Sequence, residues 1–386
     1  MSLVLLGLRR ALPVRLVLVT LLLVAVSLVG LPDGSETASA NVASPGAFAL
    51  RGPWLVAAWF LLPVLAVRAA GLVERWRTSD RAWVMSRPVG EGKALAAFGV
   101  GTWLAGVLVV AGSAVAGGLA AQFASGSDAS EHSLATESLP GARTLPRVAG
   151  TVSHPAVLLK RGQDRAAVAL SLPRGATAIA LRPRGLPSGG SAGVLTVRRI
   201  EGGQVREERR LPLATAGRAV LEVSNTEALV LELVSDGRTV CLLPASSIVA
   251  LLPPTSLWRG SWNLGTLALC AWTLASALAV LLGLWLRPWL AGATALALCI
   301  AASERFDGLP GGALGGIAKA LRAIATLPVD VLASLSNLER GWLPVAAPPL
   351  VVATTVVLAL VAFAAVAKGD HNAGGERTKS RGGLAR

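Results

Sequence analysis

From Ala94 to Ser127 the chain carries no charged residue. A bilayer core of about 30 Å is crossed by about 20 helical residues, and a charge at its centre costs at least about 2.5 kcal/mol. A gap of this length therefore predicts a membrane span. Further uncharged runs cover Leu16–Leu31, Gly52–Val67, Gly260–Leu286, Pro288–Ser303 and Gly341–Ala367. Together they predict six transmembrane helices, at about 14–31, 53–72, 95–121, 263–286, 289–304 and 345–367. The fourth and fifth would form a tight hairpin through Arg287-Pro288. Composition agrees. Apolar residues make up 53% of the chain and charged residues 15%, with a mean hydropathy of +0.61. Soluble domains carry about a quarter charged residues. A disordered chain, a coiled coil and an ordinary cytosolic enzyme are excluded on these grounds.

Orientation follows from Lys and Arg in short loops. With the N-terminus inside, the cytoplasmic segments hold fifteen of them and the short outer segments five. Both termini are expected in the cytoplasm of a bacterium, with the long middle segment outside the inner membrane. Ala38-Ser39-Ala40 also has the look of a signal-peptidase site. The apolar run before it is long for a signal peptide, and a retained helix keeps the number of spans even. Residues 368–386 read as a basic, disordered cytoplasmic tail.

Residues 122–258 differ in character. Ser125–Gly150 is rich in Ser, Gly, Ala and Pro and reads as a linker. Short alternating runs follow at regular spacing: Ala156–Lys160, Ala167–Leu172, Ala176–Leu181, Gly193–Ile200, Gln204–Leu213, Ala219–Ser224, Ala228–Val234, Thr239–Leu243 and Ile248–Leu252. Such spacing predicts an all-β sandwich or barrel. Arg198, Arg199, Arg206, Arg209 and Arg210 gather around its Glu-Gly-Gly turn. They suggest either a basic face for an anionic partner or a solvated hairpin, and the interspersed Glu201, Glu207 and Glu208 favour the hairpin. No Trp, Tyr or Phe occurs from 128 to 257, which argues against a carbohydrate-binding module and against nucleic acid.

Catalytic signatures are missing. No phosphate-binding G-x-x-x-x-G-K-[ST] loop, H-E-x-x-H, G-x-S-x-G or C-x-x-C occurs. Cys241, Cys270 and Cys299 lack zinc spacing, and His132, His154 and His371 are scattered. No metal, catalytic or cofactor residue is expected, and the chain reads as a non-enzyme. Glu304, Arg305 and Asp307, at the outer end of the fifth helix, suggest a gate or a salt-bridged helix end, the second being the default.

Two segments point to a function. The cytoplasmic loop 72–93 holds Trp76 and Trp83 on one helical face, with Asp80 between them and Pro88 as a stop. A short helix of this kind can dock into a partner's groove, or simply anchor the loop at the interface. On the outer side, Leu314, Ile317, Leu321 and Ile324 recur at helical spacing. Val331, Leu335 and Leu338 repeat the pattern after Leu327-Pro328. The pair 311–340 is too short and too polar to span, so it is interfacial or re-entrant.

In these features the chain resembles the permease subunits of type-2 ATP-binding-cassette (ABC) exporters. That family has six helices, cytoplasmic termini, a coupling helix between helices two and three, and a re-entrant pair before helix six. Glu74-Arg75, Val84-Met85 and Ser86-Arg87-Pro88 match the family's coupling loop. Its Gly-Thr pair is replaced by Ser79-Asp80, Ala82 stands at a usually acidic place, and Lys93 lies closer to Pro88 than usual. The β domain is an insertion relative to the plain family.

The expected fold is thus a polytopic α-helical membrane protein of six transmembrane helices with an inserted all-β, sandwich-like extracytoplasmic domain. Residues 1–121 hold helices one to three, 122–258 the linker and β domain, and 259–367 helices four to six. The resemblance implies a separate ATP-binding subunit, docked through Glu74, Arg75, Trp76, Asp80, Trp83, Met85 and Pro88. It implies a second permease in a homo- or heterodimer. It places an outer gate at Glu304, Arg305, Asp307, Leu314, Ile317 and Leu321. Membrane lipids and a periplasmic protein are further expected partners. The competing expectation is an envelope protein whose helices merely anchor a partner-binding β domain. A membrane enzyme acting on lipid would need a convergent acid, base or metal set, and Glu74, Asp80, Glu304 and Asp307 have no adjacent His.

Overall fold

The computed structural model describes residues 3–29, 44–75, 91–126, 129–136, 155–160, 165–186, 193–201, 204–213, 219–223, 228–236, 240–283, 285–306, 330–349 and 351–361, together with 139, 142, 145 and 364. For 298–306 only the backbone course is described.

Two helices open the chain, α1 (Leu3–Ala11) and α2 (Val14–Val29), with Leu12-Pro13 between them. Pro13 has no N–H to continue the first helix, and its fixed φ suits the start of the second. Next, α3 (Pro45–Val56) passes through a π-helical turn (Ala57–Leu61) into α4 (Leu62–Arg75). Ser44 caps α3 by accepting a hydrogen bond from Ala47 N at 3.2 Å, with Pro45 at the first helical position. The long α5 (Glu91–Ser125) follows. After the β region come α6 (Leu257–Leu282), α7 (Pro288–Phe306), α8 at 330–339 and α9 (Val351–Val361).

Helices occupy parts of all six stretches expected to span. Among the described residues three are long and apolar enough to cross a membrane: Pro45–Leu72, Ala96–Ser125 and Leu257–Leu282. α5 lies between α3 and α6, α1 crosses the start of α5, and α4 packs on α6 and α7. Small residues allow close contact. A Cβ on Gly106 would collide with the Trp272 indole, and one on Gly101 would run into the backbone of α1 at Val4. Helix association in a bilayer depends on such close packing because lipid gives no hydrophobic drive.

Among the described residues eleven strands lie between α5 and α6. They are β1 (Ser130–Thr136), β2 (Ala156–Leu159), β3 (Arg165–Ser171), β4 (Ala178–Leu181), β5 (Arg184–Leu186), β6 (Val194–Glu201), β7 (Gln204–Pro212), β8 (Ala219–Glu222), β9 (Ala228–Ser235), β10 (Val240–Pro244) and β11 (Ile248–Ser256). They form three antiparallel sheets, ordered β1-β11-β4-β8, β2-β10-β5 and β3-β9-β6-β7. One core joins all three, with Ile179, Leu181 and Ile248 from the first, Leu159, Cys241 and Leu243 from the second, and Val168, Leu195, Val197 and Leu231 from the third. Alternate residues face it, as in β3, where Val168 and Leu170 are buried and Ala167 and Ala169 exposed.

The structure differs from the expectation at one end. Ser130–Thr136, inside the stretch expected to be a linker, is a strand paired with β11. The two strands continue from α5 and into α6 as one antiparallel stalk. Ser256 ends β11 with φ −62 and ψ 148 and accepts a hydrogen bond from Arg259 N at 3.3 Å, so it also caps α6. The chain therefore passes from sheet to helix without a loop.

Candidate functional site: the junction of helices and β region

Most residues expected to act in coupling or gating fall outside the described residues: Trp76, Asp80, Trp83, Met85, Pro88, Asp307, Leu314, Ile317 and Leu321. Glu304 and Arg305 lie in the last turn of α7, where only the backbone is described. Glu74 is exposed in the last turn of α4. Arg75 folds back on its own helix, donating from Nε to Gly71 O at 3.1 Å and from Nη2 to Arg68 O at 2.7 Å. Its charge lies in the last turn of the helix, where a cation is favoured.

The described structure does bring together the segment 330–347, the β1–β11 stalk and the ends of α3 and α6 nearest the β region. In α8 the spacing of Val331, Leu335 and Leu338 puts one apolar stripe inward, and all three are buried with Leu50, Trp54, Leu257 and Leu264. At the end of α8, Glu339 forms an ion pair with Arg51 of α3. The helix stops at Gly341, whose φ of +77 is open to glycine at little cost. Gly341 N donates to Leu338 O and Trp342 N to Asn337 O, both at 3.0 Å, which satisfies the final carbonyls.

Trp342 then lies against the outer face of the first sheet, buried with Ala178, Ala180, Val249 and Leu251. This explains why β4 is buried on both faces, since the other face turns to the β core. Arg182 stands 6.0 Å from the Trp342 ring centroid and donates from Nη2 to Arg340 O at 2.8 Å. Burial, and then the nearby Arg340 charge, push its pKa below the usual guanidinium range. Leu343 enters the stalk as a parallel bridge to Ser133, with Leu343 N donating to His132 O at 2.9 Å. Two bonds tie the same segment to α6: Asn263 Nδ2 to Pro344 O at 3.0 Å, and Ala347 N to Thr266 Oγ1 at 3.2 Å. The segment is thus clamped by the helices on one side and the sheet on the other.

The sequence reads Trp258, Trp262, Trp272, Trp285, Trp289 and Trp342 as mostly marking membrane interfaces. The structure departs from this at Trp272 and Trp342, each 2% exposed and packed inside the protein. Trp262, Trp285 and Trp289 are exposed, as that reading expects. The signal for Trp342 was its place between a helix-stopping glycine and Pro344.

The basic hairpin proves to be internally paired. Arg198 meets Glu208 at 2.9 Å and Glu232 at 3.6 Å, Arg209 meets Glu207 at 2.8 Å, Arg210 meets Glu208 at 3.7 Å, and Arg199 meets Glu207 at 3.8 Å. Four of its five arginines thus meet a carboxylate, in keeping with a solvated hairpin rather than an open basic face. Beside it a cleft of about 620 Å³ is lined by His132, Thr177, Arg199, Arg206, Glu222 and Pro254. His132 Nδ1 lies 2.9 Å from Leu252 O, and the buried Thr177 hydroxyl has no hydrogen-bond partner among the described residues. The mixed charge suits recognition of a polar group. Among the described residues no cluster of His, Cys, Asp or Glu could hold a metal ion.

Compared with known protein families and with characterised proteins, the chain finds no match.

Proposed function

We propose that this chain is the permease subunit of an ATP-driven exporter of the ABC type in a bacterial inner membrane. A separate ATP-binding subunit would dock at Glu74–Pro88, and a second permease would complete the path. The observation that supports this reading best is α8. A helix that only anchored a β domain would have no need of an amphipathic element folded into the bundle before the last apolar helix. Here Val331, Leu335 and Leu338 bury into the bundle, and the residues directly after them hold the β stalk. A rotation of the bundle driven from the far side would therefore be felt by the β region through 340–344. In this reading Glu304, Arg305, Asp307 and the segment 311–340 form the outer gate, and the β region receives cargo or a periplasmic partner.

The test is gentle-detergent co-purification from the native host with identification of the associated proteins. The expected result is a stoichiometric ATP-binding protein that is lost when Glu74 and Trp83 are both changed to Ala. Recovery of envelope proteins through the β region, with no ATPase in either sample, would favour the anchored binding protein instead.

A further inference from the structure

At the end of the bundle remote from the β region, α2 and the α3–α4 helix form a crevice of about 480 Å³. The ends are fixed by packing. The start of α3 touches Ser125 and Leu257, where the β region begins and ends, whereas Gly71 near the end of α4 faces Pro288. Pro13, Leu16, Val19 and Phe60 make the crevice walls apolar, and Arg15 and Arg68 supply its two charges. Phe60 belongs to the π-helical turn Ala57–Leu61, an extra-residue bulge of the kind that recurs at functional positions.

Among the described residues the two charges have no counter-ion. Arg68 donates from Nη1 to Arg10 O at 2.8 Å, a neutral acceptor. Among the described residues no carboxylate pairs with Arg15 or Arg68. Arg68 is half-buried and lies within the apolar span Pro45–Leu72. A guanidinium partly removed from water beside acyl chains is costly unless an anion meets it. Two guanidiniums at the border of an apolar groove match a phosphodiester above an acyl chain.

We propose that this crevice binds one anionic phospholipid, with Arg15 and Arg68 engaging its headgroup phosphate and Leu16, Val19 and Phe60 flanking an acyl chain. A free phosphate ion fits less well, because it would leave the apolar walls of Leu16, Val19 and Phe60 uncovered. The site needs membrane insertion but no ATPase, so it stands or falls separately from the exporter reading.

The test uses the purified full-length chain without partners, in micelles containing equal amounts of phosphatidylglycerol and phosphatidylcholine of identical acyl composition. Native mass spectrometry then counts the retained lipid. The wild type is expected to retain phosphatidylglycerol preferentially. In R15Q/R68Q that preference should fall about thirtyfold, the sum of two charge contacts at a membrane surface. R15K/R68K should keep most of it, because charge rather than shape carries the effect. R15Q alone, whose exposed side chain holds no packing in place, should lose about fivefold. R174Q, at the exposed β3–β4 turn, should lose nothing. Equal retention of both lipids by the wild type, or a preference that survives in R15Q and R15Q/R68Q, would overturn the proposal. So would displacement of the lipid by millimolar glycerol phosphate, which would make the site one for soluble phosphates.

Discussion

Trp342 is the side chain on which the two halves of the molecule meet. Its ring closes the outer face of β4 and β11, and its backbone ends α8. Replacing it with Ala opens a cavity and removes the ring beneath Arg182. The expected cost is about 3–5 kcal/mol, as for other buried Trp truncations, read as a lowered unfolding midpoint of the full-length protein. Cys241 gives a prediction in pH. Its thiol is buried in the β core, and burial alone pushes its pKa from about 9 to about 11. The unfolded thiol ionises first, so above about pH 9 the unfolded state binds fewer protons than the native state. The contribution to stability is complete below pH 9 and is lost as pH climbs through about 11. The folded protein should accordingly resist maleimide at pH 8 and react promptly in denaturant. Rapid labelling of Cys241 under native conditions would contradict the burial. A C241A variant should show a flatter decline in stability from pH 9 to 11.

Among the elements, α5 and α6 are held by hydrogen bonds as well as by shape. Trp103 Nε1 donates to Thr273 Oγ1 at 3.0 Å, Trp272 Nε1 donates to Trp103 O at 3.1 Å, and the Trp272 ring fits over Gly106. Deeper in the bundle Trp54 Nε1 donates to Ser261 Oγ at 3.3 Å, and Ser261 Oγ donates to Ala114 O at 2.7 Å. Gly106→Leu should separate the helices and abolish a monodisperse folded fraction in size-exclusion chromatography. Thr273→Val should cost only about 0.6 kcal/mol, the usual worth of one interhelical bond in a membrane. A severe loss in Thr273→Val with a mild one in Gly106→Leu would invert the ranking of packing over hydrogen bonding. The two helices were legible in the sequence because charge is excluded from a span regardless of what packs beside it. The α8 stripe was legible for a similar reason, since Val331, Leu335 and Leu338 keep helical spacing. By contrast β1 was not legible. Ser-Glu-His-Ser-Leu-Ala-Thr has little apolar alternation, and it becomes a strand because β11 offers it a partner. Trp342 was read as an interfacial ring because burial by a distant sheet leaves no periodic trace in its neighbours. The coupling residues Trp76–Pro88 lie outside the described residues, so Glu74 and Arg75 alone of that group have a place in the fold.

At the scale of the molecule, the described residues join the β region to the bundle in three places: α5 into β1, β11 into α6, and the strap 340–344 across the stalk. The first two are continuous chain and move with α5 and α6. The third is non-covalent and leads directly to α9. If α9 shifts against α5 and α6 during an export cycle, the strap is where the β region must release or follow. A cross-link there separates the alternatives. Ser133 and Leu343 are bridge partners, and both are almost fully buried. In a background with Cys241, Cys270 and Cys299 changed to Ala, Ser133→Cys with Leu343→Cys should form a disulfide under mild oxidation. The cross-linked protein should still fold and, if the exporter reading holds, still retain an ATP-binding partner, since that reading puts the contact at the opposite end. In the exporter reading, ATP-driven accumulation of cargo inside inverted vesicles, with ATP supplied in the medium, should stop when the link is closed and return on reduction. Full transport with the link closed would show that the β region and α9 move as one body, and would shift the working motion to the α2 and α3 side of the bundle.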